Sequence, residues 1–170
     1  MSDPHEPAQR IRAALLRKGL ADANHRAALA RRLGLTESEV LAIQHLGSAG
    51  ELTPGALGMR LRLSSGGTTG LIQRLEKTGH VTRHEHPRDR RSAVVRLTPA
   101  IQRLATEAWA PLAADLDSLV RQLAGAEAET VRRFVEGVAD AAERHATRIA
   151  ADADAAAHDA LAVPLPPLWA

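Results

Sequence analysis

The chain has 170 residues, 45% of them hydrophobic but only 2% aromatic, so Leu, Ala, Val and Ile must pack any core. It contains no cysteine, which excludes disulfides, thiolate metal sites, a cysteine nucleophile and thiol-based redox sensing. The net charge is only +2, and Asp3, Glu6, Arg10 and Arg12 interrupt the N-terminus where a leader would need an apolar run. No stretch approaches the ~18 apolar residues of a membrane helix, so a cytoplasmic protein with no membrane partner is expected.

In chain order, residues 8–33 carry Ile11, Leu15, Leu16, Ala28, Leu29 and Leu33 in a helix-forming background, with Gly19 a predicted interruption and Gly34 the end. Thr36 with Glu39 forms a capping-box pattern, in which hydroxyl and carboxylate each satisfy a free amide at a helix start. The helix it opens carries Val40, Leu41, Ile43 and Leu46 and should run to the Ser-Ala-Gly at 48–50. Thr53-Pro54 starts a short third helix, because proline is tolerated in a first turn. Ser64 is placed to cap a fourth, whose inner stripe is Thr68, Leu71, Ile72 and Leu75, with Gly79 as its terminator. Its opposite face shows Ser65, Gly66, Thr69, Gly70, Gln73 and Lys77, all small, polar or basic.

Two short alternating runs follow, VTRHE and AVVRL, and read as an antiparallel hairpin joined by a seven-residue polar link, 86–92. The link holds Arg88, Asp89, Arg90 and Arg91, which is either a solvated charged turn or a surface laid on a partner. Residues 56–97 as a whole contain nine Arg or Lys against three Asp or Glu, while the rest of the chain holds 13 against 17. A basic middle between acidic ends is the footprint of a polyanion-binding element. Single-stranded nucleic acid is disfavoured, because such sites stack bases on aromatic rings and this segment has none. Two short helices, a tight turn and a basic hairpin instead predict a winged helix-turn-helix for double-stranded DNA.

After Thr98-Pro99, the residues Ile101, Leu104, Ala108, Leu112, Leu116, Leu119 and Leu123 recur at helical steps. Beyond Gly125, Val131, Phe134, Val135, Val138 and Ile149 mark a further helix. One small winged domain cannot cover so much apolar surface, and a symmetric dimer would. The end, Ala- and Asp-rich and then broken by proline, predicts a helical extension with a mobile tail at 163–170. The expected fold class is therefore mainly α with a small β-hairpin wing. It forms a single domain over 1–162, with the winged unit at about 36–98 and dimerisation helices at about 8–33 and 99–150.

The order of elements and the run LEKTGHVTRHEHPRDRRSAVVRLTP resemble the MarR family of multiple-antibiotic-resistance-type transcriptional regulators. The wing pattern of Asp, any residue, Arg, a small residue and then Leu-Thr is met by Asp89, Arg91, Ser92, Leu97 and Thr98. The likeness spans roughly residues 20–150; its wing and Leu75-Glu76 with Gly79 are fairly specific, while its outer helices match only in pattern. It implies a homodimer on a pseudo-palindromic operator, often released by a small anionic or aromatic molecule. It further implies that Arg91 enters the minor groove, where a guanidinium suits the negative potential, that Asp89 braces it, and that Thr69 faces the bases. The chain departs from the family at Gly66, Gly67 and Gly70, where side chains are common. That throws weight on Ser64, Ser65, Gln73, Arg74 and the wing residues Arg88, Arg90 and Arg91, with the backbone's own approach to DNA as the other explanation.

Trp109 is either dimer-core packing or, with His45, the wall of an effector pocket. His84 and His86 share a strand face but show no third ligand, so no metal and no cofactor are expected. SSGGTTG lacks the Lys-Ser/Thr ending of a nucleotide-binding loop, and no nucleophile-elbow spacing or paired carboxylates support an enzyme. Two functional classes stay open: a ligand-responsive DNA-binding regulator, expected to be a repressor, and an effector-independent architectural or constitutive DNA-binding dimer.

Overall fold

The computed structural model describes residues 6–87 and 89–161, apart from the side chains of Arg90, Arg91 and residues 153–161. The elements run α1 (Glu6–Leu33), α2 (Glu37–Ala49), β1 (Glu51–Leu52), α3 (Pro54–Leu61), α4 (Ser65–Lys77), β2 (Val81–His86), β3 (Asp89–Leu97), α5 (Pro99–Val120) and α6 (Gly125–Leu161). By contacts the chain divides into two compact units, Met1–Pro111 and Leu112–Ala170.

Local chemistry sets most of these boundaries. Thr36 caps α2 in a complete capping box: its hydroxyl accepts from the Glu39 amide, and its own amide donates to the Glu39 carboxylate at 2.9 Å. Thr53 caps α3 through the Ala56 amide, with Pro54 in the first turn. Ser64 caps α4 through the Gly67 amide. Gly34, Gly50 and Gly79 follow the ends of α1, α2 and α4 at φ of 67°, 77° and 72°, a left-handed region open to glycine.

The core of the first unit gathers Ala42, Ile43 and Leu46 of α2, Leu57 of α3 and Leu71, Ile72 and Leu75 of α4. Leu52, Val81 and Val95 of the sheet and Ile101 and Ala105 of α5 complete it. At the crossing of α3 and α4 a Cβ on Gly58 would stand 2.5 Å from the Thr68 hydroxyl, so only glycine lets these helices approach this closely.

Three expectations fail. Gly19 does not interrupt α1, which is continuous from Glu6 to Leu33. One glycine costs about 1 kcal/mol relative to alanine, too little to break a helix flanked by Ala, Leu, Arg and Lys. The hairpin link is not seven residues long, because β2 extends to His86 and β3 begins at Asp89. His86 pairs with Asp89, and a bulge between Glu85 and His86 absorbs the change of register. The third strand, β1, is absent from the sequence expectation: Glu51 and Leu52 pair antiparallel with Arg96 and Val95, giving the order β1-β3-β2.

Pro111 lies inside α5 and lacks the amide that would bond to the carbonyl one turn back. The helical extension expected at the C-terminus is present as far as Leu161, and the tail expected at 163–170 lies outside the described residues. No described helix is long and apolar enough to cross a membrane.

Candidate nucleic-acid interface

Helix α4 buries Thr68, Leu71, Ile72 and Leu75 and leaves Ser65, Gly66, Thr69, Gln73, Arg74 and Lys77 exposed. The inner stripe thus fixes which face remains outside, and that face is the polar one anticipated from spacing. Ser65 and Thr69 also rim a shallow groove between α3 and α4 that Pro54, Gly55, Gly58, Met59, Arg62 and Leu63 complete. Ser64 remains exposed, but its hydroxyl is the α4 cap, so its first role is to hold the helix start.

Arg74, named from sequence only as a candidate DNA contact, is tied down within the protein. Its Nε–H donates to Glu39 Oε1 at 3.1 Å, although the arginine side chain keeps 59% of its surface exposed. Glu39 is itself buried, 7% exposed. Burial alone would raise its carboxyl pKa; the bonds from the Thr36 amide, the Arg74 guanidinium and the Thr36 hydroxyl, with the Arg74 charge, outweigh that and hold it below the usual range. Sequence reasoning placed Glu39 only in a capping box, since nothing in a sequence brings positions 39 and 74 together.

The wing is anchored to α4 and to its own edge strand. Arg83 of β2 donates to Glu76 of α4 at 3.1 Å, and Arg96 of β3 donates to Glu51 of β1 at 2.7 Å. Asp89 opens β3, is exposed, and its carbonyl accepts from the Ser92 hydroxyl at 3.1 Å. Arg90 and Arg91 therefore belong to strand β3 rather than to a loop tip. Their side chains, and Arg88 altogether, lie outside the described residues. His84 Nε2 is engaged with the Thr82 hydroxyl at 2.8 Å, and among the described residues no group of three or more His, Asp or Glu could hold a metal ion.

Trp109 is half-buried against the core and lines a cleft of about 310 Å³ with Ile43, Gln44 and Gly47 of α2, Leu97 of β3 and Gln102, Ala105 and Thr106 of α5. His45 does not belong to it, which corrects the pairing of these two residues. On α2 the cleft side carries Ile43, Gln44 and Gly47, and His45 is close enough to Arg60 to feel its charge. Burial, and then the Arg60 charge, lower the His45 pKa.

The sequence profile of the MarR family matches residues 33–92, from the end of α1 into β3. The Bacillus subtilis (strain 168) protein described as uncharacterized HTH-type transcriptional regulator YcgE is 35% identical over 125 residues, covering 74% of this chain and 80% of its own. The chain belongs to the MarR family. As a MarR-family transcription regulator it has the winged-helix DNA-binding fold. NadR in complex with 4-hydroxyphenylacetate matches with a TM-score of 0.59 at 21% identity, covering 76% of this chain and 92% of that one. A MarR mutant from E. coli complexed with operator DNA matches with a TM-score of 0.51 at 21% identity, over 81% and 99% of the respective chains. At that identity the two structures establish the fold alone.

Proposed function

We propose that this MarR-family protein is a repressor that binds a pseudo-palindromic duplex operator as a homodimer and is released by a small aromatic molecule. The observation that carries the reading is the exposed polar face of α4, beside a wing anchored to the same helix through Arg83 and Glu76. In this geometry α4 enters a major groove, with Ser65, Thr69, Gln73 and Arg74 toward the bases and Ser64 at the helix start beside the backbone. The wing carries Arg88, Arg90 and Arg91 to the flanking phosphates and minor groove, with Asp89 bracing Arg91. The operator complex of the E. coli MarR mutant supports the same use of the fold.

Charge supports the dimer. Helix α1 holds seven Arg or Lys against two Asp or Glu, whereas α5 and α6 together hold five against eleven. All three helices expose large apolar residues, among them Leu16 and Leu20, Leu116 and Leu119, and Phe134 and Val135. A second copy offers the complementary charge and the apolar cover together.

The effector site is assigned to the cleft at Trp109. Its lining offers an indole face, two amides and a hydroxyl but no charged side chain. It therefore suits an aromatic molecule with hydrogen-bonding substituents better than a bare anion. The complex of NadR with 4-hydroxyphenylacetate supports a ligand of that class.

Nuclease footprinting on DNA selected by the protein tests the DNA-binding part. Two copies of α4 in successive major grooves, about one turn or 10 base pairs apart, should protect a pseudo-palindrome of about 16–24 base pairs. A single asymmetric half-site would contradict the dimer. A thermal-shift screen of aromatic compounds against the protein and its Trp109→Ala variant tests the effector. Operator binding indifferent to every compound would leave a constitutive DNA-binding dimer.

A further inference from the structure

Gly70 and Arg74 stand one turn apart on α4. A helical side chain leans toward the helix N-terminus, over the residue four positions earlier. Here Arg74 does so: its Nη1 lies 3.7 Å from where a Cβ on Gly70 would be, and nothing else stands within 4 Å of that point. The guanidinium thus lies across backbone that carries no side chain, on the exposed side of the helix. Its Nε–H is committed to the buried Glu39 carboxylate at 3.1 Å, and that carboxylate is fixed in turn by the Thr36 amide at 2.9 Å. An arginine held by Nε keeps the two parallel N–H donors of its far end, the fork that matches the adjacent O6 and N7 acceptors of guanine.

We propose that Arg74 is the specificity-determining residue of α4, reading a guanine in the major groove with its free Nη fork while Glu39 acts as the positioning residue that aims it across Gly70. The inference rests on the assignment of α4 to the major groove. It gives the departure at Gly70 a physical sense: a Cβ there would only touch Arg74 Nη1, at 3.7 Å, but a side chain longer than alanine would compete with the guanidinium for that surface. Lysine at position 74 could keep a charge beside Glu39 but has no fork, so charge and geometry are separable.

The test selects binding sites from a randomised duplex library with the wild-type protein and with Arg74→Ala, Arg74→Lys and Glu39→Gln. Wild type should select half-sites with a guanine at one fixed position. Arg74→Ala should lose the preference at that position alone, while Arg74→Lys, which keeps donors but no rigid fork, and Glu39→Gln should each weaken it there as other positions hold. Replacing that guanine by 7-deazaguanine, which lacks the N7 acceptor, needs no protein variant. It should weaken wild type by about 5- to 100-fold and leave Arg74→Ala, which has no donor to lose, unaffected. Variants that select the wild-type half-site, or that lose preference evenly at every position, would make Arg74 merely structural. A wild-type protein insensitive to 7-deazaguanine at every selected guanine would overturn the proposal with no variant involved. A wild-type protein that selects no sequence would remove the operator-binding assignment as well, so the two failures are distinct.

Discussion

At the scale of single residues, two glycines of the helix-turn-helix make opposite predictions. A Cβ at Gly58 would meet the Thr68 hydroxyl at 2.5 Å, and Thr68 is buried with that hydroxyl donating to the Ser64 carbonyl at 2.9 Å. Gly58→Ala gains about 1 kcal/mol of helix propensity but overpacks a tight crossing, which costs about 1–3 kcal/mol. Its urea midpoint should fall, and adding Thr68→Ala should return part of the loss. Gly66 has nothing within 4 Å of its Cβ position, so Gly66→Ala should raise stability by about 1 kcal/mol. Glu39 predicts a pH dependence. Its folded pKa lies below the ordinary carboxyl value, so the unfolded chain takes up the proton first as pH falls. The stabilisation is complete above the unfolded value of about 4.3 and is lost as pH falls through the lowered folded value. Urea midpoints taken from pH 7 downward should therefore drop more steeply for wild type than for Glu39→Gln; equal slopes would mean that the carboxylate is not held in its charged form.

At the scale of elements, capping chemistry made the helix-turn-helix legible while strand geometry left the wing half-read. Thr36, Thr53 and Ser64 announce helix starts because the hydroxyl's task is local, and the structure uses all three as N-caps. The inner stripe of α4 was legible for the same reason, since a helical period is set within a dozen residues. Strand β1 was not. Glu51 and Leu52 become a strand only by pairing with Arg96 and Val95, more than forty residues on, and two residues carry no alternation to detect. The extension of β3 back to Asp89 escaped because Asp-Arg-Arg-Ser has turn composition, and what marks the strand start is the pairing of Asp89 with His86 beyond an irregularity in the register. The Glu39–Arg74 pair and the separation of His45 from Trp109 are tertiary facts of the same kind. In the proposed complex, with Arg91 on a strand, the wing would lie as a ribbon along the duplex edge. Arg91→Ala should cost about 1–3 kcal/mol of operator affinity, whereas Arg90→Ala should weaken all sequences alike and lower the salt slope by about one. Asp89→Ala separates positioning from charge. Operator binding should weaken while binding to scrambled duplex holds or rises; tighter binding to both would make Asp89 only a repulsive charge.

At the scale of the whole molecule, the apolar residues that the single chain leaves exposed decide whether it works alone. Leu116 and Leu119 of α5 keep 49% and 60% of their surface, and Val131 and Phe134 of α6 keep 44% and 45%. A residue already half in water contributes little to the fold of its own chain, so replacing it should cost that fold little. Within a dimer the same residues would be covered, and an unpaired aspartate there would cost several kcal/mol. The double variant Leu116→Asp/Leu119→Asp therefore predicts a dissociation rather than an unfolding. Far-UV circular dichroism should keep the helical signal of wild type, and sedimentation velocity should shift from dimer to monomer at the same concentration. DNA binding should follow the association state. A dimer holds two copies of α4 one helical turn apart on a single duplex, and binding the second half-site is then nearly intramolecular. The monomer should still bind nonspecifically, with a salt slope about half that of wild type because it neutralises half as many phosphates, and should lose the protected pseudo-palindrome. A variant that remains dimeric and protects the full site would place the interface elsewhere, and the exposed leucines of α5 would then face something other than a second copy.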